Sequence, residues 1–123
     1  MAKDKEIEAV KVVKTETKVK EKVAELEAGE KFLAHMNFAG KDLTGYSLAK
    51  CTLVFADLSG CNCSGVDFTG ANLQKANLSN TNLTNANFTN ADLYGANLAN
   101  ADMTGAKLDG ADTYRADMTN VKK

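Results

Sequence analysis

A strict five-residue period is the feature that most constrains how this chain can fold. From Met36 to Asn120 the sequence divides without a gap into seventeen blocks of five residues. The third position is Leu, Phe or Met in 15 blocks, and the first is Ala in 10. The second position is Asn or Asp in 14 blocks, and the fifth is Gly or Asn in 13. An insertion would destroy this register, so the period predicts that every block repeats one backbone path.

The parity of the period indicates what that path is. In an extended segment alternate side chains share a face, so the first and third positions point one way and the second points the other. Because five is odd, the alternation cannot continue into the next block, and the fourth and fifth positions must turn a corner. Gly and Asn suit the fifth position because both tolerate a positive φ. We therefore predict short strands joined by corners, wound into a coil lined by the first and third positions.

Stacking of successive coils satisfies the backbone hydrogen bonds of these short strands. Coils spaced by about 4.8 Å pair as a parallel ladder, each strand bonding to the strands above and below it. The chain contains no Pro, which would remove a donor from such a ladder. The sequence thus predicts an all-β solenoid whose interior is filled by alternating large and small side chains.

The repeat resembles the motif of the pentapeptide-repeat family, A(N/D)LXX, as in the blocks ANLQK, ADLYG and ANLAN. The resemblance covers residues 36–120 and implies a right-handed quadrilateral parallel β-helix with four blocks per coil. A β-helix domain over residues 36–121 would then have just over four coils. The family often dimerises through its C-terminal coil, and no cap is evident after the last block. We therefore expect a homodimer formed through residues 111–121.

Residues 1–35 differ from the repeats, with eight basic and eight acidic side chains. Apolar side chains recur there at a spacing of seven, at Val12, Val19, Leu26 and Leu33. Such spacing is typical of one face of a helix. We predict a charged tail over residues 1–17 and a capping segment over residues 18–35, whose helix, near residues 18–28, covers the first coil. An added strand and a disordered segment are the alternatives for this region.

One side of the predicted coil departs from the small polar residues that occupy the other outward positions. It carries Val54, Phe55, Tyr94, Tyr114 and Arg115, and the two tyrosines lie twenty residues apart, which makes them neighbours in adjacent coils. Aromatic side chains and Arg are enriched at binding hot spots, so we interpret these five residues as a candidate face for docking a protein partner. The competing interpretation is single exposed residues without a role, which soluble proteins commonly carry.

The three cysteines, Cys51, Cys61 and Cys63, occupy inward positions of the predicted coil. A zinc site usually needs four ligands, and His35, which the period places before the array, would add only one. We expect buried apolar thiols and neither a metal nor another cofactor. An odd number of cysteines is unlike the disulfide frameworks of secreted domains. With no apolar stretch of about 20 residues and no signal peptide at the N-terminus, we expect a cytoplasmic protein that does not contact a membrane.

Composition and spacing favour a non-enzymatic structural or protein-interaction role. The Asp residues at second positions recur regularly, and the only His precedes the array, so no acid–base pair or Ser–His arrangement emerges. The net charge of −1 argues against nucleic-acid binding, and against the topoisomerase-directed mimicry of DNA known in some relatives. Ice binding is a further alternative, suggested by a single hydroxyl column formed by Thr44, Ser64, Thr84 and Thr104.

Overall fold

The structure, a computed structural model, describes residues 32–123, and these form a solenoid with four sides. Each block supplies one bridging residue at its second position, followed by a two-residue turn. Every bridge is parallel and joins residues twenty apart, which is the length of four blocks. No helix occurs in residues 32–123, so none there has the length and apolarity needed to cross a bilayer. The period of five is therefore one side of the coil, as predicted.

The coil begins earlier than the predicted boundary at Met36. Phe32 already bridges Thr52, and the Leu33 N–H donates to the Thr52 carbonyl at 2.7 Å. Residues 32–35 therefore belong to the coil and not to the capping segment predicted over residues 18–35. The sequence pattern missed this block because Lys31 and Phe32 replace the usual Ala and Asn, whereas the ladder requires only backbone groups.

The other end of the coil also extends past the prediction, since Lys122 bridges Asp102 and accepts from the Met103 N–H at 2.7 Å. The predicted tail over residues 1–17 and the helix near residues 18–28 lie outside the described residues.

The interior contains the first and third positions, as the parity argument predicts. Leu78, Leu83 and Leu98 are fully buried. Phe68 stacks on Phe88 of the next coil with ring centroids 4.8 Å apart and an interplanar angle of 2°. Aromatic and aliphatic side chains from successive coils thus form continuous columns, and burial of these columns is the main apolar contribution to stability.

The corners are type II turns with a left-handed residue at the fifth position. The first-position N–H donates to the carbonyl of the preceding third position, as from Ala91 to Phe88 at 2.9 Å. Every fifth position from His35 to Asn120 has a positive φ. A type II turn requires a positive φ at its third residue, which explains why Gly and Asn dominate there. The corner geometry predicted from parity is confirmed.

Five corner residues are neither Gly nor Asn, namely His35, Lys50, Phe55, Lys75 and Arg115. Their φ values lie between 59° and 62°, in the left-handed region that costs a residue with a Cβ roughly 1–2 kcal/mol. These positions hold strain that Gly would relieve.

The second and fourth positions are joined by hydrogen bonds that sequence reasoning missed. The Asn82 Oδ1 accepts from the Thr84 N–H at 3.0 Å and from the Thr84 hydroxyl at 2.8 Å. The same Asx turn recurs along the solenoid, with Asp in place of Asn in several blocks. Asn or Asp at the second position and Ser or Thr at the fourth are therefore local backbone supports that fix the corner.

Three carboxylates in these turns have perturbed acidities. The pKa values of Asp42, Asp102 and Asp117 lie below the ordinary value for Asp, first because the hydroxyl of the following Thr donates to the carboxylate, and second because the backbone N–H of that Thr also donates. Both hydrogen bonds favour the charged form of the carboxyl group.

Relief and addition of corner strain provide one test of the turn assignment. Lys50→Gly should raise the free energy of unfolding by about 0.5–1 kcal/mol, because Gly removes the left-handed penalty at an exposed site. Gly105→Ala should lower it by at least about 1 kcal/mol, because Gly105 has φ +76° and an added Cβ would collide with the Asn85 Oδ1. Urea denaturation measures both changes. A neutral Gly105→Ala would contradict the left-handed corner.

Acid should destabilise the solenoid through the Asx-turn carboxylates. The pKa values of Asp42, Asp102 and Asp117 are lowered in the folded protein. These carboxylates therefore stabilise the fold fully above the pKa of an unfolded Asp, about 3.9. This stabilisation is lost as the pH falls through the folded pKa values. We expect the melting temperature to fall between about pH 5 and about pH 2.5.

The matched control for acid destabilisation replaces all three carboxyl groups by amides, as Asp42→Asn, Asp102→Asn and Asp117→Asn. The amide Oδ1 keeps the turn, as Asn82 shows, but does not titrate in this range. The melting temperature of the triple variant should fall less over the same pH interval than that of the wild-type chain. An equal loss in both proteins would exclude these carboxylates as the cause.

Candidate functional site

All three large hydrophobic side chains exposed within residues 32–123 lie on one side of the solenoid. Phe32 is 70% exposed, Phe55 is 55% exposed and Tyr114 is 65% exposed. We call this side the aromatic side, and it consists of residues 32–35, 51–55, 71–75, 91–95 and 111–115. The second, fourth and fifth positions of the other three sides carry mostly Asn, Asp, Ser, Thr, Ala and Gly. Exposed apolar groups are thus concentrated and not scattered.

The structure brings the five candidate residues from the sequence together on the aromatic side. Val54, Tyr94 and Tyr114 occupy fourth positions, whereas Phe55 and Arg115 occupy fifth positions, so all five lie along one corner. Val54 and Tyr94 are half-buried, and the other three are exposed. These five residues bring one valine side chain, one phenylalanine ring, two phenol groups and one guanidinium to this corner.

Ring and cation contacts join successive coils at this corner in two groups, one of His35 with Phe55 and one of Lys75, Tyr94, Tyr114 and Arg115. His35 stacks on Phe55 with centroids 5.3 Å apart and an interplanar angle of 8°. Tyr94 and Tyr114 have centroids 5.9 Å apart, tilted by 31°. We call the set the corner ladder, and its members are His35, Phe55, Lys75, Tyr94, Tyr114 and Arg115. His35 and Phe55 thus contact through their ring faces, and Tyr94 and Tyr114 are neighbours in adjacent coils.

Two cations complete the corner ladder. The Lys75 Nζ lies 5.5 Å from the centroid of the Tyr94 ring, and the Arg115 Cζ lies 5.6 Å from that of Tyr114. Both distances are within the range of a cation–π interaction. Gly95 gives Lys75 its path, because a Cβ at Gly95 would come within 2.9 Å of the Lys75 Cδ. Because Gly95 has no side chain, the Lys75 side chain has room to lie against the coil.

Backbone strain coincides with the aromatic side. His35, Phe55, Lys75 and Arg115 belong to the corner ladder, and Lys50 stands at the other corner that bounds the same side. These five are the only described residues other than Gly and Asn with a positive φ. Strained residues concentrate at functional sites, where their side chains are needed despite the conformational cost. The coincidence of strain, exposure and aromatic character identifies this side as the candidate site.

Sequence reasoning missed Phe32 and His35 as members of this side. Both belong to the block that the repeat pattern left outside the array, and the structure corrects the position of His35 to a fifth-position corner residue stacked on Phe55. The available signal was Leu33, which keeps the third position of the period if the array is extended back by one block.

The three cysteines are buried in the interior, away from the exposed surface of the aromatic side. Cys51, Cys61 and Cys63 form no disulfide, and the Cys61 thiol donates to the Phe38 carbonyl at 2.9 Å. The hydrogen bond between the Cys61 and Cys63 thiols, and then burial, raise the pKa of Cys63 and keep it protonated. No group of His, Cys, Asp or Glu within residues 32–123 has the arrangement of a metal site.

The hydroxyl column at Thr44, Ser64, Thr84 and Thr104 is engaged within the protein. Ser64 Oγ and Thr84 Oγ1 are 2.8 Å apart, and the Thr104 hydroxyl donates to the Asp102 carboxylate at 2.7 Å. The Thr44, Thr84 and Thr104 hydroxyls donate to the second-position side chains of their own Asx turns, and the Ser64 hydroxyl pairs with that of Thr84, so the regular spacing of the column has a structural cause.

A family model described as pentapeptide repeats matches the chain in eight copies, over residues 33–62, 61–98 and 86–122. These ranges cover most of the described solenoid and include the block that begins before Met36. No curated protein sequence matches the chain.

Two solved structures from cyanobacteria are similar to this chain. HetL, a pentapeptide-repeat protein involved in heterocyst differentiation regulation from Nostoc sp. strain PCC 7120, has a TM-score of 0.69 and 32% identity, over 72% of this chain and 40% of HetL. Rfr23, a pentapeptide-repeat protein from Cyanothece 51142, has a TM-score of 0.63 and 35% identity, over 74% of this chain and 58% of Rfr23. The chain thus spans about half the length of these proteins.

Solved pentapeptide-repeat structures are right-handed quadrilateral β-helices, the architecture that the resemblance implied. The described residues share its four sides and its parallel offset of twenty residues. The five-residue repeat, the parallel backbone ladder and the matching family model together show that the chain belongs to the pentapeptide-repeat family.

Proposed function

We propose that this chain is a non-enzymatic interaction solenoid whose aromatic side docks a protein partner. The observation that carries the proposal is the placement of Phe32, Phe55 and Tyr114, which are the exposed large hydrophobic residues of the described part, on a single side. Contiguous exposed apolar surface on a soluble protein marks interaction sites, whereas single apolar residues do not. Tyr and Arg, both present in the corner ladder, are enriched at the energetic centre of interfaces.

The backbone ladder supports a docking role because it makes the surface rigid. Each coil bonds to its neighbours through every side, as at Leu93 N–H to the Asp112 carbonyl, 2.7 Å, and Asp112 N–H to the Ala91 carbonyl, 3.0 Å. A rigid surface loses little conformational entropy when a partner binds. Stacked ring contacts in the corner ladder restrict its side chains before binding, which reduces that cost further.

The filled interior and the engaged carboxylates support the non-enzymatic part of the proposal. Interior side chains such as Leu73 and Leu93 are fully buried and fill the coil. Carboxylates such as Asp102 and Asp117 accept hydrogen bonds within their own turns. The proposal includes a cytoplasmic location, which the absence of a disulfide among Cys51, Cys61 and Cys63 supports, since thiols remain reduced there.

Removal of the two tyrosines tests the docking function. Tyr94→Ala with Tyr114→Ala removes the tyrosine pair of the corner ladder while leaving the backbone ladder intact. We expect proteins captured from the native host by the wild-type chain to be lost, with the melting temperature lowered by no more than about 5 °C. Affinity capture followed by mass spectrometry measures the first effect, and circular dichroism measures the second.

The matched control for the tyrosine variant removes two exposed side chains from other sides, as Lys107→Ala with Lys122→Ala. This control should capture the same proteins as the wild-type chain. Equal capture by the tyrosine variant and the wild-type chain would contradict docking through the aromatic side.

We also propose that the C-terminal coil forms a homodimer interface through residues 111–121. Within the stack, a third-position N–H such as that of Leu98 donates to the next coil, to Asp117 at 2.8 Å. Met118, one coil further on, has no coil above it within the described chain and is only half-buried, as is Leu108. Strand edges and apolar groups at the end of a β-stack are a template for pairing with another chain.

Light scattering at high micromolar concentration tests the dimer. We expect twice the mass of the 13.1 kDa chain, and a monomer mass for Met118→Lys, because the charge would lie on the apolar end of the stack. The control is Ala99→Lys, which adds the same charge at an outward fourth position outside residues 111–121 and should remain dimeric. A monomer at that concentration for the wild-type chain would contradict the interface.

A further inference from the structure

The basic side chains of the corner ladder recur at every second coil. His35, Lys75 and Arg115 occupy the same fifth-position column at a spacing of forty residues, which is two coils. Phe55 lies between the first two, and the Tyr94 ring lies between the second and third. The corner therefore alternates basic and aromatic groups along its length, with successive basic groups about 10 Å apart at the ordinary strand spacing.

The fourth and fifth positions of this corner contain no acidic residue. They are Ala34, His35, Val54, Phe55, Gln74, Lys75, Tyr94, Gly95, Tyr114 and Arg115. The neighbouring carboxylate of Asp92 is engaged by the Gln74 side chain at 2.5 Å and by the Tyr94 N–H at 3.0 Å. Asp112 accepts in the same way from the Tyr114 N–H at 2.9 Å. The side therefore carries two carboxylates at second positions and two cations, Lys75 and Arg115, at the corner, where carboxylates of a partner would complement the cations.

The spacing of the basic groups distinguishes between kinds of partner backbone. Two turns of an α-helix advance by about 10.5 Å, and residues seven apart lie on one face. Three residues of a strand advance by about 10 Å, but residues three apart point to opposite faces. A helix laid along the corner therefore matches the repeat with acidic residues every seven positions and apolar residues between them, which would contact Phe55 and Tyr94.

We propose that the corner ladder binds an amphipathic α-helix of another protein, with acidic side chains at heptad spacing on Lys75 and Arg115 and apolar side chains on the rings between them. This inference rests on the proposed docking function of the aromatic side and specifies its partner. The chain's own residues 1–31 do not fit the pattern, because no two of their acidic residues are seven positions apart.

The experiment uses the full chain and a synthetic helical peptide of three heptads, with Glu at one position of each heptad and Leu midway between. A peptide of the same composition in scrambled order and a peptide with Lys in place of Glu serve as matched probes. Fluorescence anisotropy measures binding. We expect the heptad Glu peptide to bind the wild-type chain, and the scrambled and Lys peptides to bind at least about tenfold more weakly.

Charge reversal decides whether the ladder is responsible. Lys75→Glu with Arg115→Glu should weaken binding of the Glu peptide at least about tenfold and strengthen binding of the Lys peptide. Lys107→Glu with Lys122→Glu, which places the same charges on other sides, should leave Glu-peptide binding unchanged. Melting temperatures confirm that both variants fold. Equal binding of the Glu and scrambled peptides, or no effect of Lys75→Glu with Arg115→Glu, would overturn the proposal.

Failure of this inference is distinguishable from failure of the docking function. If captured host proteins depend on Tyr94 and Tyr114 but not on Lys75 and Arg115, the aromatic side docks a partner of another chemistry and the acidic-helix proposal is wrong. If capture depends on neither pair, both proposals are wrong. If charge reversal instead abolishes self-association of the chain, the occupant is a second copy, which also overturns the acidic helix.

Discussion

The left-handed corner residue is the constraint on which the rest of the structure depends. A five-residue side closes only if the backbone reverses its alternation once per block, and a positive φ at each fifth position from His35 to Asn120 provides that reversal. Once the corner is in place, the first and third positions point inward, the second-position groups bridge to the coils above and below, and Asx turns support the corner from outside. Core, ladder and surface all follow from this one backbone requirement.

On the aromatic side, the positive φ that the corner requires conflicts with the residue types present. Gly or Asn would occupy every corner with little strain, yet His35, Phe55, Lys75 and Arg115 take the left-handed conformation along a single column. Ring and cation contacts within the corner ladder offset part of the cost, at about 0.5–1 kcal/mol for each exposed contact. Since strain of about 1–2 kcal/mol at each site exceeds this gain, the side chains reduce stability. The docking role proposed for the aromatic side would account for their presence there.

Regular repetition also explains how a short solenoid can present side chains at fixed distances along its surface. Because each coil adds the same rise, residues twenty apart become neighbours at a constant distance, and any pattern in the sequence becomes a linear pattern on the surface. The proposed alternation of basic and aromatic groups is such a pattern. The members of the family with solved structures compared above are longer than this chain.

Much of this fold was predictable from the sequence, because the physics of the repeat is local. Parity and the Ala and Leu positions predict an inward lining, and Leu83 and Phe68 are buried accordingly. The Asx turns also depend on residues only two apart, but composition does not reveal which donor an Asn or Asp side chain accepts from. The boundary at Phe32 was missed because backbone pairing tolerates side chains that break the motif.

Spatial contacts between coils required coordinates. The period places Tyr94 and Tyr114 in adjacent coils, but the stacking of His35 on Phe55 and the path of Lys75 across Gly95 to a tyrosine ring depend on rotamers and on close approach of side chains twenty residues apart. Local repetition thus specified the backbone, because each corner is closed within one block. The surface chemistry of the aromatic side emerged only when the coils were stacked, because its contacts join residues that are distant in the chain.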